Sequence, residues 1–233
     1  MHNRLFFCVL LVLTLYGSVL SAVLYVDLHA AGSGSGASWV NASTNLQSAL
    51  NTAHSGDSLW IAAGKYLPSS DATGSNAPAD PRAKTFVIGP GVRLYGGFSG
   101  KETSIAGRNI SLNKTVLSGD IGEPGVKTDN AYHVITSFAD VVVDGIVVSD
   151  GWANGVNEQA QSAAVVKNGP LTIVGCTFEN NGALFGGVML LSDSLPVDVA
   201  ATTFSHNEST YAGGVFDIAG SQVKLNCVNT LFT

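Results

Sequence analysis

From residue 23 onward, short apolar runs alternate with clusters of Gly, Asn, Asp and Ser. Residues 23–26, 58–62, 85–88, 92–95 and 115–119 are rich in β-branched and aromatic side chains and bounded by turn formers, which predicts strands. Residues 133–135 and 141–148 carry the rhythm forward, the latter interrupted by the turn pair Asp144-Gly145. Leu46, Ala49, Leu50 and Ala53 depart from it: their i, i+3, i+4, i+7 spacing predicts one short amphipathic helix, capped by Ser43 or Thr44. Two polar excursions, 67–83 and 99–115, read as loops. The first holds three of the seven prolines and nothing at catalytic spacing, so it is expected to be mobile. Short strands without long helices between them exclude a doubly wound α/β fold and leave a sandwich, a propeller or a parallel stack.

Residues 171–220 select the stack, because the chain there repeats itself. Phe178 answers to Phe204, Asn181 to Asn207, and Gly186-Gly187 to Gly213-Gly214. Repeats of this length mark units that bury their apolar faces only against their own copies. The architecture expected is all-β, a parallel β-solenoid. A Phe column fills its interior, an Asn column satisfies buried polar groups at a turn, and the glycines supply positive φ at a corner. Each of these residues is thereby given a structural role ahead of a ligand-binding one. Trp39 and Trp60, which could form a sugar-stacking surface, are assigned instead with the helix to a cap over the apolar end. Three segments follow: a leader at 1–22, a cap with degenerate coils at 23–170, and clear repeats at 171–233.

Charge narrows the partners. Charged residues are only 12% of the chain and the net charge is −6, so there is no basic patch for a nucleic acid or an anionic membrane. Arg4 followed by the apolar run 5–15 has the pattern of a secretory signal peptide, with cleavage expected after Ser21 or Ala22. No later segment is apolar enough to span a membrane. Cys8 falls in that leader, leaving Cys176 and Cys227 at non-equivalent repeat positions. They are expected to be free, buried thiols rather than a disulfide.

The Phe-x-x-Asn and Gly-Gly-Val pattern at 178–188 and 204–215 resembles the repeats of chlamydial-type polymorphic outer membrane proteins. Upstream, Tyr25-Val26-Asp27, Leu46-Gln47-x-Ala49-Leu50, Gly56-Asp57, Ala63-Gly64-Lys65-Tyr66, Gly96-Gly97-Phe98 and Val143-Asp144-Gly145 resemble exported right-handed parallel β-helix proteins of the pectin-lyase-like class. Together these motifs cover about residues 23–220. The resemblance implies a right-handed β-helix with a short N-terminal capping helix. It also implies a secreted or cell-surface location and a role in adhesion, binding an extracellular glycan or a host or cell-surface protein. Many more repeats and a C-terminal barrel would complete such a membrane-anchored relative. The sequence stops at Leu231-Phe232-Thr233, where a third Phe-x-x-Asn would begin, so it reads as a fragment or an incomplete gene model.

The same class includes polysaccharide lyases and hydrolases, so catalysis is tested on the residues. A hydrolase needs a carboxylate pair on one face; a lyase of this class, as the resemblance implies, needs acidic Ca²⁺ ligands and a basic residue. Arg82, Arg93 and Arg108 lie near no acidic cluster at the strand rhythm. Asp144 and Asp150 are the only weak catalytic candidates, and each precedes a Gly where the carboxylate is expected to bond its own backbone. His133 and His206 are isolated, His206 in a solvent-facing turn, and Gly32 to Gly36 lacks the Lys-Ser/Thr of a phosphate loop. No cofactor or metal is expected. Asn41, Asn109, Asn113 and Asn207 begin N-x-S/T sequons, with Asn207 expected to be buried in the Asn column. A non-catalytic binding protein is the expected function, with a polysaccharide-active enzyme or a structural spacer as alternatives.

Overall fold

A computed structural model describes residues 21–233. The leader expected at 1–22 lies outside the described residues except for Ser21 and Ala22. Among the described residues the protein is mostly β, with one α-helix and every paired strand parallel to its neighbour. A seven-stranded sheet runs in chain order through Val23–Val26, Ser58–Ala62, Arg93–Phe98, Val141–Asp144, Leu171–Val174, Val197–Ala200 and Leu225–Val228. A six-stranded sheet runs in the same direction through Gly64–Tyr66, Thr115–Ser118, Ile146–Ser149, Thr177–Glu179, Thr203–Ser205 and Leu231–Phe232. Three smaller sheets join Phe86–Ile88, Ile135–Ser137 and Val165–Lys167; Met189–Leu191 and Phe216–Ile218; and Trp152–Ala153, Gly182–Phe185 and Glu208–Ala212.

Pairing in register turns the alternation of each strand into columns. Leu59, Leu94, Val143, Ile173 and Val199 are successive partners in the seven-stranded sheet, and all are buried. Tyr66, Leu117, Val148, Phe178 and Phe204 do the same in the six-stranded sheet. Phe178 and Phe204 stack at 5.2 Å, and Phe232 continues the stack at 5.1 Å from Phe204. Each buried Phe contributes about 3 kcal/mol by removing its ring from water. Stacked ring pairs add about 1 kcal/mol beyond that area.

The corners explain the repeated polar residues. Asn181 is fully buried, accepts from Gly151 N at 3.0 Å, and donates to Val148 O at 3.0 Å and Asn207 Oδ1 at 3.0 Å. Asn207 in turn donates to Phe178 O at 2.8 Å. Gly186 and Gly213 adopt φ of 61° and 63°, and a Cβ on Gly213 would sit 2.1 Å from Phe216 O. Only glycine fits that approach.

The helix spans Leu46–Thr52, with Leu46, Ala49 and Leu50 packed into the main core. Its cap is Asn45 rather than Ser43 or Thr44, because the Asn45 carboxamide accepts from Ser48 N at 2.9 Å while the Ser43 hydroxyl donates to Asn45 O. Trp60 is buried and stacks on Phe98 at 4.9 Å; Tyr25 packs edge-on against Trp60 and Trp39, and Trp39 lies tilted against Phe98. Trp39 Nε1 donates to Glu102 O at 2.8 Å, which ties Trp39 to the 99–104 segment. The 67–83 loop is organised around Asp71, whose carboxylate accepts from Thr73 N, Thr73 Oγ1 and Ser75 N. The Thr73 hydroxyl is the first of the bonds that hold the Asp71 carboxyl below the usual range. Of the two free thiols among the described residues, Cys176 is buried, and desolvation pushes it up to about 12. Cys227 is exposed, contrary to expectation, because its strand forms the edge of the seven-stranded sheet.

Candidate functional site

The two acidic candidates do not come together. Asp144 forms an ion pair with Arg108, Nη2 to Oδ1 at 2.7 Å, with both side chains largely shielded from solvent. Arg108 Nη1 also donates to Gly96 O and Asp144 O at 3.3 Å, and the guanidinium lies 5.4 Å from the Tyr95 ring. This corrects the expectation that Asp144 bonds its own backbone, and it gives Arg108 a single acidic partner. The 99–113 loop folds back and brings Arg108 across a separation of 36 residues. Asp150 also departs from expectation: its carboxylate accepts from Ser118 Oγ and Ser149 Oγ, both at 2.7 Å. Its backbone, at φ 63°, presents a carbonyl to Asn130 Nδ2 at 2.8 Å. Asp144 and Asp150 thus hold corners rather than face a shared substrate space.

The sequons differ in accessibility. Asn207, as expected, is engaged in its column through Nδ2, although it is only half-buried. Asn41 donates to Ser38 Oγ and Asn113 to Gly97 O. Asn109 is exposed. His206 is exposed with φ 53°.

His133 lies in a cleft that sequence reading did not identify. Its walls come from two neighbouring strands, Ile135–Ser137 and Val165–Lys167, which pair so that Thr136 stands opposite Val166. The cleft has a volume of about 430 Å³ and is lined by Phe138, Gln161, Asn168 and Ser192, among others, with Ala72 supplied by the 67–83 loop. That volume falls within the range of small-ligand sites. Phe138 follows its strand directly; its N–H is held by Ile88 O, and the residue is 41% exposed. Among the described residues, the carboxamides of Gln161 and Asn168 and the Ser192 hydroxyl have no hydrogen-bond partner, so they remain open to a ligand.

The rest of the lining is fixed. His133 Nδ1 lies 3.1 Å from Ser162 O, and Ser162 Oγ accepts from Leu190 N at 2.8 Å. Ser162 holds φ 57°, a conformation that non-glycine residues adopt at a cost. Lys167, its side chain only 3% exposed, pairs with Asp193 at 2.7 Å, so its charge is neutralised at the cleft wall. The result is an aromatic face beside uncharged donors and acceptors. Such a surface suits a polyhydroxylated molecule better than a strongly ionic one.

A second hollow of about 540 Å³, lined by Arg93, Asp140, Pro90 and Pro170, is larger but has no aromatic side chain in its wall. Among the described residues, no three His, Cys, Asp or Glu side chains converge to hold a metal ion. No helix among them is long and apolar enough to cross a membrane. Placing the cleft from sequence would have required knowing that 136 pairs with 166; exposed Phe138 after a strand was the only local signal. The chain matches no protein family, no curated protein and no solved structure.

Proposed function

We propose that the protein is a secreted or cell-surface binding protein that engages a glycan through the cleft beside Phe138. The stacked sheets are read as the sides of one right-handed parallel β-helix of the pectin-lyase-like class, with repeats like those of polymorphic outer membrane proteins. Strictly parallel pairing in register supports this reading, as do the Phe and Asn columns. The strong right-handed preference of parallel crossovers supports the hand. The leader-like residues 1–22 support export.

One observation carries the ligand class: an exposed aromatic ring beside carboxamides and a hydroxyl that the protein leaves unpaired. Binding is favoured over cleavage because Asp144 is committed to Arg108 and Asp150 to two serines. Affinity electrophoresis against a panel of soluble polysaccharides tests the reading. Retardation by at least one polymer is expected, weakened about tenfold or more, ~1.4 kcal/mol, by Phe138→Ala. Uniform mobility across the panel, or equal retardation of the variant, overturns it. The same polymers should yield no unsaturated products absorbing in the ultraviolet, with or without Ca²⁺.

A further inference from the structure

N-linked glycosylation requires more than the tripeptide: the Asn carboxamide nitrogen must be available, and so must the hydroxyl two residues later. The four sequons differ on both counts. Asn41 Nδ2 donates to Ser38 Oγ, and the hydroxyl of its Ser43 donates to Asn45 O. Asn113 Nδ2 donates to Gly97 O, and its Thr115 is fully buried with Oγ1 bonded to Ile61 O and Ala62 O. Asn207 Nδ2 is held by Phe178 O, and its Ser209 hydroxyl by Leu184 O and Ala212 O. Glycosylation at any of these three would displace bonds that close the fold.

Asn109 is arranged differently. Its Oδ1 accepts from Ser111 N at 3.2 Å and Leu112 N at 3.1 Å, an Asx turn that fixes the side chain. Nδ2 is left without a partner among the described residues, and both Asn109 and Ser111 are exposed. Ile110 packs against the glycine corner of the seven-stranded sheet, approaching Gly97 and Gly145, and so anchors the turn from below. The Asx geometry polarises the carboxamide by drawing on its oxygen, and it presents Nδ2 outward.

We propose that Asn109 is the N-glycosylation site of this protein and that Asn41, Asn113 and Asn207 are unmodified in the folded molecule. The donor class is an oligosaccharide linked to a lipid pyrophosphate. Nδ2 attacks C1 of the first sugar, the N–C1 bond forms, and the C1–O bond to phosphate breaks. The lipid pyrophosphate leaves, and the Nδ2 proton passes to a base on the transferase. The proposal rests on the export reading for entry into the secretory compartment. It does not depend on the cleft, which lies on another sheet.

The full chain, expressed in a eukaryotic secretory host, supplies the test through intact mass before and after peptide N-glycosidase treatment. One glycan is expected, lost in Asn109→Gln and Ser111→Ala and retained in Ser111→Thr, Asn41→Gln and Asn113→Gln. Ser111→Ala keeps the backbone donor of the Asx turn, so its loss of the glycan would not reflect a misfolded loop. Secreted protein without a glycan at Asn109, or with one at another sequon instead, overturns this proposal alone. Chain retained in the cytosol overturns both it and the export reading.

Discussion

At the scale of single residues, the buried carboxamide of Asn181 carries more than its position in a turn implies. It closes bonds to Gly151, Val148 and Asn207, two of them to backbone groups with no access to water. Asn181→Ala strands those groups, at about 1–3 kcal/mol each. A loss of ~3 kcal/mol or more is expected, visible as a fall of roughly 10 °C in melting temperature. Asn207→Ala should cost less, because water can reach that half-buried position. Equal melting temperatures for the two variants would contradict this assignment. Both asparagines were legible as a column because their repeats match. The thiols were only half legible: the register that buries Cys176 at a corner and leaves Cys227 on an edge strand is a long-range property.

Among elements, strands were the most legible, since apolar runs bounded by turn residues need only local information. The helix was placed correctly from its apolar spacing, but Asn45 took the cap, while the Ser43 hydroxyl donates to the Asn45 carbonyl instead. Loops were less legible because charged side chains order them through bonds that the apolar pattern does not reveal. Asp71 orders the 67–83 loop, and Arg108 ties the 99–113 loop to Asp144. Arg108→Gln removes a shielded ion pair while keeping a polar, uncharged side chain at that position. It should expose Lys101 and Lys114 to limited trypsin digestion several-fold faster, with the far-ultraviolet spectrum unchanged. An unaltered digestion rate would show that the loop is held by Ile110 and its glycine contacts instead.

For the whole molecule, the parallel all-β arrangement was readable and the cleft was not, for one physical reason. Core columns repeat along the chain, so each unit reports on the next. The cleft combines Ala72, Phe138, Gln161 and Asn168, which share no repeat position and meet only through folding. Insertions and deletions should therefore have unequal effects. Eight Gly/Ser residues added within the exposed 122–126 segment should cost less than about 1 kcal/mol, as loop closure grows slowly with length. Deleting Val142 would invert the facing of every later side chain in its strand and should abolish cooperative unfolding. Chemical denaturation distinguishes the two; similar midpoints would refute the distinction. The ladder thus acts as a ruler graduated in strands instead of residues. Partners along it are unevenly spaced in the chain: Val23 pairs with Ser58, Arg93 with Val142, Leu171 with Val197 and Val197 with Leu225. Yet each step advances the sheet by the same ~4.8 Å. Chain length and molecular length are uncoupled, so side loops can be lengthened or replaced without altering how far the protein reaches.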